Sequence, residues 1–490
     1  MRSLFLIAFT LGIVLSVATA EEETDLRPLI KAAQKGTPEE RASAVRRLSP
    51  YISKSEVQKA LAAVLRNDDD SEVLLCALDA CASTEAAKLW TLVKEHLLSD
   101  DLDIRKAATR ALFIQSPSKL KKELYKDAIG KKPHSAEYVR ALTRIMSREE
   151  YGLLVELLRS PLSDVRAAAV AGIMKLGATD AREAAASQIE SGDPVSVAQS
   201  ALAALFFRDS SSVPLLIELL SDKKSSLVAH ECLKSLTGRK FEADTVLWRE
   251  WWKENHATWI PPDYKALGPY GEVTFFEHKV ETKRIVFILD FSDSMGSGKG
   301  SSLEAQVNEV RRCVTMLPPN VEFNCVVYSR SASKYVPSAA ESDAAEKERF
   351  FNWLSKWGTD TSTATFDALK ISLAIRDADT LMLVGNGIPN SGELPNGRNP
   401  EVEDNVVEEV TKIVKEGNLK CRLFTVAFPF QPDLAEDTEQ PLVRDENADK
   451  VRTFSKRAEG FFRLLAALNN GKYCYVDISQ NKLKKAKTRE

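Results

Sequence analysis

A repeat constrains this chain more than anything else in it. Between about residues 25 and 245 an Ala-rich helical phrase recurs, as in Asp103-Ile104-Arg105-Lys106-Ala107-Ala108 and again in Asp164-Val165-Arg166-Ala167-Ala168-Ala169. The matching apolar positions Val73, Ile104, Val165, Val197 and Val228 lie 31, 61, 32 and 31 residues apart, the 61 being two periods with a diverged copy near Val139. A fixed period of this length marks a solenoid, because one unit cannot bury its apolar face alone and must stack on the next. Each unit pairs a leucine-patterned helix, such as Leu153-Leu154-Val155-Glu156-Leu157-Leu158, with an Ala-rich helix whose small side chains allow close packing.

These repeats resemble HEAT-like repeats of the short-period bacterial kind, which implies an α-solenoid whose extended surface binds protein or presents another domain. A junction follows. Thr245 is placed to cap a helix over Val246 to Asn255, and Trp248, Trp251, Trp252 and Trp259 cluster there before Pro261-Pro262 ends the segment. Their spacing predicts that they close the open end of the last repeat, with a sugar-stacking platform as the sharper alternative.

From Ile285 onward, strand and helix alternate. Strands are expected at 285–289, 321–328, 380–384, 421–428 and 473–476, with a short extended piece at 334–336. Helices are expected at 303–317, 344–357, 365–375, 402–416 and 449–468. Such alternation predicts an α/β, doubly wound (Rossmann-like) parallel sheet, and in these sheets ligands bind at the carboxyl ends of the strands. At the end of the first strand stands Asp290-Phe291-Ser292-Asp293-Ser294, one carboxylate and two hydroxyls that can face a small hard cation.

Those residues resemble the metal-ion-dependent adhesion site of a von Willebrand factor A (vWA) domain. The resemblance continues through Gly358 to Leu369, similar to the family's threonine loop, through Leu383-Val384-Gly385-Asn386-Gly387-Ile388-Pro389, and through Phe461 to Tyr473. It implies a metal set of Asp290, Ser292, Ser294, Thr363 and Asn386, with Thr361 or Thr359 in place of Thr363 if the loop slips. It also implies Mg2+, Mn2+ or Ca2+ as the ion, and a protein partner that supplies an Asp or Glu to it. Asn386 stands where the family has a second aspartate. One formal charge therefore remains unless Asp293 or Asp360 turns inward, and weak, about millimolar, binding is expected.

A neighbouring Gly-rich stretch, Met295 to Ser301, invites a nucleotide reading and fails it. A phosphate loop needs glycine where Asp293 stands and Ser or Thr where Gly300 stands. Lys and Arg total 67 against 70 Asp and Glu, so no bulk charge draws the chain to nucleic acid. The chain starts with an apolar run, Leu4 to Val17, before Ala18-Thr19-Ala20, the pattern of a cleaved secretory signal. No later run is long enough to span a membrane, so a secreted or periplasmic protein is expected. The seven cysteines form no C-x-x-C pair and read mostly as buried apolar residues, with a Cys421–Cys474 disulfide open. No paired base and nucleophile is written in the sequence, so a non-enzymatic role is expected.

The organisation expected is therefore a signal at 1–20, a HEAT-like α-solenoid at 21–245, and a Trp-rich closing helix and linker at 246–280. A vWA domain at 281–480 and a basic tail at 481–490 complete it. The functional expectation is a binding, adhesion or scaffold protein, with a metal-free structural scaffold whose repeats carry the contacts as the alternative.

Overall fold

The computed structural model describes residues 25–130, 132–259, 273–392, 402–416, 420–429, 444–476 and 478. The expected signal, the Pro261-Pro262 segment and the basic tail lie outside them. Two compact units divide at Leu89 and Trp90.

The first unit holds α1 (Arg27–Lys35), α2 (Pro38–Leu48), α3 (Ser55–Asn67) and α4 (Ser71–Ala80). Helix α2 starts at a capping box, Thr37 with Glu40, and α4 at Asp70, whose carboxylate accepts from Glu72 N and Val73 N. Arg41 spans one repeat to the next, bonding Asp68 at 2.7 Å while also donating to the Gly36 carbonyl.

The second unit continues the same pattern in α5 (Trp90–Glu95), α6 (Leu102–Gln115), α7 (Pro117–Ala128), α8 (Ser135–Ile145), α9 (Gly152–Leu157), α10 (Ser163–Lys175), α11 (Arg182–Ala186), α12 (Pro194–Phe207), α13 (Val213–Glu218), α14 (Ser226–Thr237) and α15 (Thr245–Asn255). Asp101 and Asp193 cap α6 and α12 as Asp70 caps α4. Arg105 and Arg166 donate to the Ser99 and Ser160 carbonyls, and Arg166 also pairs with Asp193. The period is thus written in buried apolar residues and, at Arg41 and Arg166, in an arginine that reaches an aspartate at or just before the start of the matching helix of the next repeat.

Helix α15 is capped by Asp244, which accepts from Val246 N and Leu247 N, and not by Thr245 as the sequence suggested. Both residue types cap well; the aspartate sits one place earlier, in extended backbone. Trp248 is fully buried, donates its indole N–H to the Glu242 carbonyl at 2.9 Å, and meets Phe241 and Trp251 edge-on. The aromatic cluster packs on itself at the end of the repeats.

A seven-stranded sheet follows a short hairpin of β1 (Thr274–Phe275) and β2 (His278–Lys279). Its elements are β3 (Arg284–Asp290), α16 (Ser302–Met316), β4 (Glu322–Tyr328), β5 (Ala332–Lys334), β6 (Ala340–Glu341), α17 (Ala344–Leu354), α18 (Thr365–Leu373), β7 (Thr380–Gly385), α19 (Val402–Glu416), β8 (Arg422–Ala427), α20 (Arg444–Leu468) and β9 (Tyr473–Tyr475). The order is β5-β4-β3-β7-β8-β9, parallel from β4 to β9. The architecture is an α-solenoid of helical repeats followed by a doubly wound α/β domain.

One edge departs from the all-parallel expectation. Both β5 and β6 run antiparallel to β4, returning through turns too short for a crossover helix. All seven residues of β3 are buried, with Ile285, Phe287 and Leu289 in one core and Val286 and Ile288 in the other. That double burial is why the strand reads as a continuous apolar run. The seven cysteines are buried and none is joined in a disulfide, so Cys421 and Cys474 are not bridged. No helix among the described residues is long and apolar enough to cross a membrane.

Candidate functional site

The chain leaves β3 toward β4 on one side, while β7 pairs with β3 on the other, so the strand order reverses between β3 and β7. Register sets Leu289 opposite Val384, which brings Asp290 and the β7 end at Gly385 together at the carboxyl edge. A ligand crevice is expected at such a reversal.

Asp290 is fully buried. Its Oδ1 accepts from Ser292 N at 2.8 Å, while Oδ2 is buried with no hydrogen-bond partner. Burial pushes the Asp290 carboxyl up to about 6, against the lowering effect of the Ser292 donors. Beside it, the Ser292 and Ser294 hydroxyls lie 3.0 Å apart, and Ser294 Oγ donates to Asn386 Oδ1 at 2.9 Å. Asn386 in turn donates from Nδ2 to the Ser294 carbonyl at 2.6 Å. Four of the five expected residues therefore gather at one place.

Thr363 belongs to the third segment of the same edge. An isolated parallel bridge joins Ser292 to Asp360, with Asp293 N donating to Asp360 O at 3.0 Å and Asp360 N to Phe291 O at 3.1 Å. On its other side, Thr363 N donates to Asn390 Oδ1 at 2.7 Å, and Asn390 N donates back to Thr363 O at 3.1 Å. Thr363 is 5% exposed, whereas Thr361 is exposed with its hydroxyl accepting from Arg330, so the loop is set with Thr363 inward. Asp360 does not turn inward. Its carboxylate accepts from Thr361 N at 2.7 Å and from Arg330 at 3.2 Å, and it is about half exposed.

The donor set is one buried carboxylate with an orphaned oxygen, hydroxyls and an amide oxygen. Hard oxygens of this kind fit Mg2+, Mn2+ or Ca2+, and their low charge fits weak binding. Among the described residues no three His, Cys, Asp or Glu side chains gather as a metal site. The Gly-rich loop is no phosphate cradle either. The Ser301 hydroxyl accepts from Glu304 N, and Glu304 reaches back to Gly300 N, so two of the amides around the start of α16 are taken by the chain itself.

Three supporting residues were not singled out in the sequence. Gln306, fully buried, holds the Asp290 backbone with two bonds, accepting from its N at 3.1 Å and donating to its O at 2.8 Å. The signal was a lone polar residue on the stripe Gln306, Val310, Cys313, Val314, all buried on α16. Tyr328 donates to the Val384 carbonyl at 2.9 Å beside the carboxylate. Gly385 leaves the room: a Cβ there lies 2.7 Å from Tyr328 Oη and 2.9 Å from Asp290 Oδ2.

A family model described as HEAT repeats matches residues 150–237. No curated protein matches the chain. Among solved structures, an aerotolerance-related membrane protein from Bacteroides fragilis is 16% identical over 42% of this chain and 97% of that one, with a TM-score of 0.27. A von Willebrand factor type A structure from Catenulispora acidiphila is 14% identical over 41% and 40%, at 0.29. The pilus adhesin SpaC from Lactobacillus rhamnosus GG is 14% identical over 43% and 30%, at 0.28.

Proposed function

We propose that this is an exported, non-enzymatic protein-binding scaffold whose α/β domain is of the vWA type. Its adhesion site holds Mg2+, or Mn2+ or Ca2+, on Asp290, Ser292, Ser294, Thr363 and Asn386, and a protein partner completes the ion's shell with an Asp or Glu. The observation that carries this reading is the buried Asp290 Oδ2 without a protein donor, beside the linked oxygens of Ser292, Ser294 and Asn386. A bound ion supplies positive charge that attracts an acidic side chain; the residues present orient it and keep its inner side dry.

A second reading has its own support. Ser294 and Asn386 bond each other in both directions, so the loop closes without an ion. On that reading the α/β domain is a metal-free structural part and the repeats carry the contacts.

Calorimetric titration of the full chain with Mg2+ and with Mn2+ separates the two. Weak saturable heat is expected in the parent and none in Asp290→Ala. Asn386→Asp restores the second charge and is expected to tighten binding by about tenfold or more. Absence of heat in both the parent and Asn386→Asp favours the metal-free scaffold.

A further inference from the structure

The repeats of the second unit meet the α/β domain along one row of helices, every second one in the chain. From α6, Asp103 makes two bonds to Arg284 at 2.9 and 2.7 Å, and Lys106 pairs with Glu322. Helix α8 contributes Arg140, which holds both oxygens of Asp343 at 2.6 and 2.9 Å, and Arg144, which reaches Glu341 at 2.9 Å. Lys175 at the end of α10 bonds Glu341 at 2.8 Å, and Gln199 of α12 accepts from Ala344 N at 2.8 Å. Glu231 of α14 lies 3.7 Å from Arg312.

On the α/β side these groups are not spread over the domain. Arg284 and Glu322 are the first residues of β3 and β4, and Ser338 to Ala344 form the corner through β6 into α17. The contact therefore takes the amino ends of the parallel strands, whereas Asp290 and Asn386 stand at the carboxyl ends. Along β3 that separation is about 20 Å at about 3.3 Å per residue. The central partners are buried: Arg140, Arg284, Glu341 and Asp343 are each 3–4% exposed.

We infer that this row of helices is a docking surface already occupied in cis by the acid-bearing corner 338–344 of the same chain. The later repeats then serve through this row as a pedestal for the α/β domain, with the metal edge at the far strand ends, and this face of them is not free for another partner. Charge complementarity argues for this occupant. Arg140, Arg144 and Lys175 converge from two repeats on the two carboxylates, Glu341 and Asp343, set two residues apart in one turn. An outside partner can reach those cations only by displacing that turn, and it must bring paired acids to do so.

The test is a charge exchange in the full chain: Arg140→Asp, Asp343→Arg, and the two combined. The readouts are hydrogen exchange in α8 and in 338–347, the radius of gyration from solution scattering, and circular dichroism for helix content. Each single variant is expected to raise exchange in both segments by about tenfold or more and to enlarge the particle. The combined variant is expected to return both toward the parent, whether or not a single variant loses structure. Single variants that exchange and scatter like the parent overturn the inference, as does a folded combined variant no better than its singles. Metal heat is read separately on the same proteins. Its absence counts against the proposed adhesion site and leaves the docking result standing, because the two lie at opposite strand ends.

Discussion

Arg284→Met is expected to destabilise the protein by about 3–5 kcal/mol, measured as a lower denaturant midpoint with an unchanged slope. Arg284 is 3% exposed at the start of the central strand β3, and its guanidinium serves Asp103, Glu322 and the Arg376 carbonyl together. Methionine fills similar space but leaves the Asp103 carboxylate, 10% exposed, without that partner. An unpaired buried charge costs far more than the net worth of the pair. Glu322 is less affected because Lys106 still holds it. The double variant Arg284→Met, Asp103→Leu should therefore recover most of the loss; no recovery counts against the charge argument.

Acid reaches the same interface through its carboxylates. Burial pushes Glu341 up, but Arg144, Lys175 and Arg140 outweigh it and hold the carboxyl well below the usual range. Asp343 is likewise lowered, with Arg140 overcoming burial. A depressed carboxylate contributes stability that is complete above its unfolded value, about 4, and is lost as pH falls through the folded value. The thermal midpoint should hold between pH 7 and 5 with respect to these groups and fall below about 4. In Glu341→Gln that acid-limb slope should flatten, since the group that binds the extra proton is gone.

The solenoid and the central strands were legible because burial leaves a periodic or continuous apolar trace, as in the valines and isoleucine from Val73 to Val228 and in β3. The loop of Asp290, Ser292 and Ser294 was legible because its three side chains sit at alternate positions of one short segment. What escaped is non-local or carries no period. Arg284 and Asp103 are 181 residues apart, and charged residues on helices such as Arg140 look like a solvated face until the strand amino ends are placed against them. The β5 and β6 edge was legible only as the short extended piece at 334–336, because two or three residues are too few to alternate. Asp360 could be assigned outward only once Arg330 was seen beside it.

The carboxyl edge of the sheet is built from three segments that bond one another through Ser292–Asp360, Ser294–Asn386 and Thr363–Asn390. The opposite end is fixed by the ionic contact with the repeats. Each end has its own network, so a variant at one end can be used as a control for the other.

The last strand supplies the second large effect. Gly471→Ala is expected to cost about 3 kcal/mol or more. A Cβ at Gly471 falls 1.7 Å from the Leu423 carbonyl oxygen and 2.3 Å from its carbon, and these are backbone atoms of β8 that cannot turn aside. The chain is held at that distance by its neighbours: Leu423 N donates to Asn469 O and Thr425 N to Lys472 O, both at 3.0 Å. To admit a methyl group, β9 must move away from β8 and lose the pairing of Cys474 with Val426. Gly460→Ala is the matched control, in α20, with nothing within 4 Å of its added Cβ. That change should stabilise by about 0.5–1 kcal/mol through helix propensity alone. Chemical denaturation of both variants reads the difference, and a Gly471→Ala chain as stable as the parent shows that β9 does not need this close approach to β8.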